Sequence, residues 1–76
     1  MDVIFDYSEL IGRIISKFKT RKAFAEKMNM DYGSLIHKLN GKYYWFSIDI
    51  YRACCLLDID LKDIPKYFFT LKVEQG

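Results

Sequence analysis

The chain has little with which to hold a metal ion. Its only soft ligands are Cys54, Cys55 and His37. The two cysteines are adjacent, and neighbours on a helix point about 100° apart, so they neither bridge each other easily nor converge on one ion. A zinc site takes about four converging ligands. The thiols read as small apolar fillers, with a redox or disulfide role as the minor alternative. No apolar run approaches the ~18 residues of a membrane span. The opening MDVIFDYSEL has neither the basic region nor the long apolar region of an export signal, so the expected address is cytoplasmic. There is no repeat, no low-complexity tract and no Pro/Gly/Ser linker, and 76 residues read as one domain. A Gly-rich phosphate loop is missing, the carboxylates stand at helix starts where capping explains them, and His37 has no carboxylate or nucleophile at useful spacing. The expectation is therefore no enzyme, no cofactor and no small-molecule substrate.

What is present is apolar mass and a local excess of positive charge. Hydrophobic residues make up 51% of the chain, enough to bury a core, although a domain this short hides only about 60–65% of its unfolded surface. The net charge of +2 says little, but its distribution says more. Arg13, Lys17, Lys19, Arg21, Lys22, Lys27, Lys38 and Lys42 face only Glu26 and Asp31 in the middle of the chain, whereas Asp2, Asp6, Glu9, Asp58, Asp60, Asp63 and Glu74 lie toward its ends. A basic middle between acidic flanks is either a phosphate-facing surface or a solvated lysine-rich one.

Apolar spacing predicts five short helices. The first spans about 7–18, capped by Asp6 with Glu9 in capping-box position and striped by Leu10, Ile11, Ile14, Ile15 and Phe18. Thr20 caps a second at about 21–28, with Phe24, Ala25 and Met28 on its apolar face, and Asn29 ends it in the left-handed conformation. Asp31 caps a third at about 32–39, with Leu35 and Leu39 inward, ended by Asn40-Gly41. After the aromatic stretch Tyr43–Phe46, Ser47 caps a fourth helix. Its two apolar sides, Ile50, Ala53, Cys54 and Leu57 on one and Ile48, Tyr51 and Cys55 on the other, imply a central position. Asp60 caps a fifth, 61 to about 67, with Leu61, Ile64 and Phe68 inward and Pro65 tolerated in its first turns. From Phe69 to Val73 the apolar residues alternate, as in a short strand, and that strand pairs with Val3 and Phe5, pairs with a second subunit, or stays coil.

The block TRKAFAEKMNMDYGSLIHKLNGK, residues 20–42, joins two short helices through a connection of about three residues, too short for antiparallel overlap and the length of a helix-turn-helix. Met30 in the turn is expected to point into the core. Thr20, Phe24-Ala25, Met28, the turn, Leu35 and Leu39-Asn40-Gly41-Lys42 make the block resemble the Cro/repressor family of phage and bacterial regulators. Small phage-encoded regulators of Gram-positive hosts resemble the chain nearly end to end, through DYSEL, LNGK, DIPKYFF and KV. Two positions depart from the wider pattern, with Asn29 where a turn glycine is usual and Arg21 where glutamine follows the capping threonine. The resemblance implies an all-α, lambda-repressor-like DNA-binding domain in a bacterial host.

With Leu35 and Leu39 inward, Gly33, His37 and Asn40 fall on the opposite side of the third helix, flanked by Ser34 and Ile36. In the resembled family that side enters the major groove, which implies base contacts from Tyr32, Gly33 and His37, with Ile36 near a thymine methyl. Competing readings are a Tyr32 stacked on the first helices, a solvated His37 and a core Ile36. Gly33 costs roughly 1 kcal/mol inside a helix, and close approach of the backbone to DNA would explain it. Thr20, Arg21 and Lys22 at one helix end, with Asn40, Lys42, Tyr43 and Lys38 around the other, are the expected phosphate contacts. Two such units about 34 Å apart read a palindrome, so the expectation is a sequence-specific regulator that occupies duplex DNA as a homodimer. The alternative is a protein-binding module, an antirepressor or adapter, on the same fold.

Overall fold

The structure, a computed structural model, describes residues 4–72. Five helices pack around one core: α1 (Ser8–Phe18), α2 (Arg21–Lys27), α3 (Tyr32–Leu39), α4 (Ser47–Leu57) and, after a single 3₁₀ turn over Leu61–Asp63, α5 (Ile64–Phe68). The core is built from Leu10 and Ile14 of α1, Phe24 and Ala25 of α2, Leu35 and Leu39 of α3, Ala53, Cys54 and Leu57 of α4, and Phe68 of α5. The apolar periodicity of α1 to α3 placed these residues inward. Among the described residues no helix is long and apolar enough to cross a membrane.

Local chemistry sets the boundaries. The capping box expected of Asp6 and Glu9 does not form: Tyr7 is the N-cap of α1, and Asp6 accepts from the backbone N–H and hydroxyl of Ser8. Ser47, expected to cap α4, is instead its first residue, behind Phe46. The Thr20 hydroxyl accepts from Ala23 N at 3.0 Å and starts α2, and Asp31 accepts from Ser34 N at 3.3 Å to start α3. Asn29, with φ 55°, turns the chain between them, and Met30 packs half-buried against the core. Gly41, with φ 80°, ends α3. The reversal is tight because Lys42 N and Tyr43 N both donate to the carbonyl of His37, at 2.8 and 3.2 Å.

Three further expectations change. First, α4 is not central. Ala53, Cys54 and Leu57 are buried, but Ile48, Tyr51 and Cys55 face solvent. Second, Leu61 is exposed, because the 3₁₀ turn before Pro65 carries it outward. Third, the tail forms a single antiparallel bridge, Phe5 to Leu71, framed by Asp6 N donating to Thr70 O at 2.7 Å and Lys72 N donating to Ile4 O at 2.9 Å. The tail thus pairs with the N-terminal segment of its own chain, while Val3 and Val73 lie outside the described residues.

Arg13 ties the helices together at the far end. Its guanidinium donates to the carbonyls of Leu57 at 2.8 Å and Asp58 at 3.0 Å, satisfying the C-terminus of α4. Asp58 itself adopts φ 54° and pairs with Lys17.

Candidate functional site

The open side of α3 is its beginning. Tyr32, Gly33 and Asn40 are exposed, whereas Ser34, Ile36 and His37 are half-buried. Gly33 has a local explanation. A Cβ there would lie 3.0 Å from Asp31 Oδ2, the oxygen that caps the helix. An alanine there requires that carboxylate to give by a few tenths of an ångström. Arg21 and Lys22 stand exposed at the start of α2, beside a Thr20 hydroxyl already engaged in capping. Lys42 and Tyr43 are exposed beyond α3.

The C-terminal half of α3 is covered by the loop that follows it. Tyr43 lies on the His37 ring with centroids 4.7 Å apart, and His37 Nδ1 is buried without a hydrogen-bond partner. Lys38 departs furthest from expectation. It is buried rather than turned to a phosphate, its ammonium donating to the carbonyl of Tyr44 at 2.7 Å and pairing with Asp49 Oδ2 at 3.2 Å. The reason is geometric: Lys38 lies only about 60° around the helix from Leu35, so its stem follows the core stripe and its head meets the N-terminus of α4.

Covering α3 turns the loop outward. Between residues 43 and 51, five large apolar side chains face solvent: Tyr43, Tyr44, Phe46, Ile48 and Tyr51, with Tyr44 89% exposed. Beside them lies a groove of about 350 Å³, walled by Ile4, Phe5, Tyr43, Tyr44 and Phe69 over a floor that includes Trp45 and Phe68. Its aromatic walls are braced edge to face, Phe5 on Phe69 at 5.5 Å and Trp45 on Phe68 at 5.2 Å. No charged side chain lines it. A surface of this kind excludes water from an apolar partner and carries no cation to pair with a phosphate.

Burial, with a smaller push from Cys55, raises the Cys54 thiol above its ordinary value, which keeps it protonated and inert. The hydrogen bond from Lys17, and then its charge, hold Asp58 below the usual carboxylate range. Among the described residues no group of three or more His, Cys, Asp or Glu side chains comes together as metal ligands do. Sequence reasoning missed Asp49 as the partner of Lys38 and missed the exposure of Ile48 and Tyr51. The available signals were the position of Lys38 on the flank of the core stripe and the density of aromatics from 43 to 46.

The modulator of repression of the temperate bacteriophage TP901-1 from Lactococcus lactis, known from a solution structure, is 40% identical to this chain. The match covers 92% of this chain and 95% of that one, with a TM-score of 0.78. No curated protein matches. This likeness overturns the expected operator-binding homodimer with duplex DNA as its partner, because the relative is a modulator of repression. The resemblance to small phage-encoded regulators holds in that coarser form, whereas the family that matches is not the Cro/repressor family. Residues 3–71 match the family described as Protein of unknown function (DUF739), and the chain belongs to that family.

Proposed function

We propose that this chain is a protein-binding regulator that modulates a phage repressor by direct contact, using the aromatic surface formed by residues 43–51 and the adjoining groove. The observation that carries the reading is the run of exposed Tyr44, Phe46, Ile48 and Tyr51 on a domain with a well-filled core of its own. Exposed apolar patches of this density mark interaction sites, and tyrosine is among the residues that dominate interface energies. The likeness to a modulator of repression supports a repressor as the partner. A helix-turn-helix arrangement serves here as scaffold: α3 is held against the core and its covering loop supplies the contact surface.

The test is calorimetric titration of the chain with the repressor encoded in the same phage genome. Saturable binding is expected, weakened at least tenfold by Tyr44→Ala, which is about 1.4 kcal/mol, with the melting temperature unchanged. Absence of heat and of a co-eluting complex, at concentrations where both proteins are folded, sinks the reading.

A further inference from the structure

Lys38 is a charged side chain only 8% exposed, on a helix whose other inward residues are leucines. Its ammonium donates to the Tyr44 carbonyl at 2.7 Å, pairs with Asp49 Oδ2 at 3.2 Å and lies over the Phe46 ring, whose centroid is 4.8 Å away. The backbone of the same residue grips the rest of the loop, because its carbonyl accepts from Gly41 N at 3.2 Å and from Trp45 Nε1 at 3.2 Å. Asp49 closes the circuit by accepting from Phe46 N at 3.1 Å. Tyr44, Trp45 and Phe46 are therefore each fastened either to Lys38 or to its ion-pair partner, while the Tyr44 and Phe46 side chains remain exposed.

A buried ion pair is an inefficient source of stability, since apolar residues of similar volume often do as well or better. What it supplies is direction, because each acceptor must sit at a fixed point around the ammonium. We propose that the Lys38–Asp49 pair is a latch that holds the 42–46 loop in the conformation competent to bind the partner, which makes Lys38 a positioning residue. The inference rests on the aromatic-surface reading above. A loop released from the latch samples other conformations, and apparent affinity falls in proportion to the fraction still competent.

The experiment compares the wild type with Lys38→Met/Asp49→Asn, which removes both charges together yet leaves an oxygen on residue 49 to accept from Phe46 N. Trp45 is the chain's one tryptophan, so its fluorescence reports the loop and the seat of the indole on Phe68. The double variant is expected to melt within a few degrees of wild type. Its Trp45 is expected to be more quenched by acrylamide, its indole N–H to exchange at least tenfold faster, and its affinity for the repressor to fall at least tenfold at a temperature well below melting. Unchanged quenching and exchange overturn the latch. A loosened loop with unchanged affinity, alongside a Tyr44→Ala variant that loses binding, also overturns it while leaving the binding surface intact. A wild-type chain that does not bind the repressor overturns the surface reading itself, and needs no variant to be seen. If the double variant fails to fold, Lys38→Met alone, which leaves Asp49 accepting from Phe46 N at the start of α4, is read by the same three measurements.

Discussion

The molecule has two sides that share α3 and α4 and differ in what covers them. On one, Leu35, Ala53, Cys54, Leu57 and Phe68 are sealed within the bundle. On the other, Tyr44, Phe46, Ile48 and Tyr51 are as apolar and stay in water. Two lysine–aspartate pairs among the described residues differ in cover as well. Lys38–Asp49 is buried beneath the loop, whereas Lys17–Asp58 is open to solvent, with side chains 37% and 71% exposed. Similar residue types thus do different work according to cover. On the sealed side they create stability, and on the open side they are available for contact.

The strongest way to break this comparison is to shorten an aromatic on each side. Phe68→Ala empties a fully buried site and is expected to cost about 3–5 kcal/mol, enough to unfold much of a small domain. Tyr44→Ala is expected to change stability by no more than about 0.5 kcal/mol while reducing partner binding. Denaturant melts of the two variants decide the matter, and a costly Tyr44→Ala would mean that its ring belongs to the core after all.

A smaller effect is expected at Gly33. Alanine there gains about 0.8–1 kcal/mol in helix propensity but presses on the Asp31 carboxylate, whose cap is worth about 1 kcal/mol. The expected net change is below about 0.5 kcal/mol in either direction. A full gain in the melt would mean that Asp31 shifts without losing its bond to Ser34, and so that the glycine is not there for the cap.

The smallest effect concerns the exposed ion pair and vanishes in acid. Asp58 in the folded chain lies below its ordinary value near 3.8, held there by Lys17. Its contribution is complete above the unfolded value and drains away as pH falls through the lower folded value. Lys17→Ala is expected to cost a little stability at neutral pH, with the difference from wild type closing as pH falls, so that the variant's acid limb is flatter. Melts taken from about pH 5 downward, with and without Lys17, check the sign.

Much of the fold was legible. The third helix runs over 32–39 as its Asp31 cap and Asn40-Gly41 stop require, and Asn29 takes the left-handed turn. The second helix begins behind its Thr20 cap for the same reason, a side-chain oxygen three residues from a free N–H. The site was less legible. Ile48, Tyr51 and Cys55 have the spacing of a buried face, yet nothing in the described fold lies over them. Periodicity reports which residues share a face and not whether a neighbour covers it. Lys38 was read as a phosphate contact because its type is usually solvated. Its true surroundings depend on Asp49 and on a carbonyl six residues away in the loop.

Local sequence was enough for the helices, for the caps at Thr20, Asp31 and Asp60, and for the leucine and phenylalanine positions of the core apart from Leu61. Those follow from hydrogen bonds and apolar spacing within a few residues of each other. Only the tertiary structure decided that the loop after α3 folds back over it, buries one lysine and leaves an aromatic surface in water. That outcome depends on contacts between segments distant along the chain, whose relative placement local spacing does not encode.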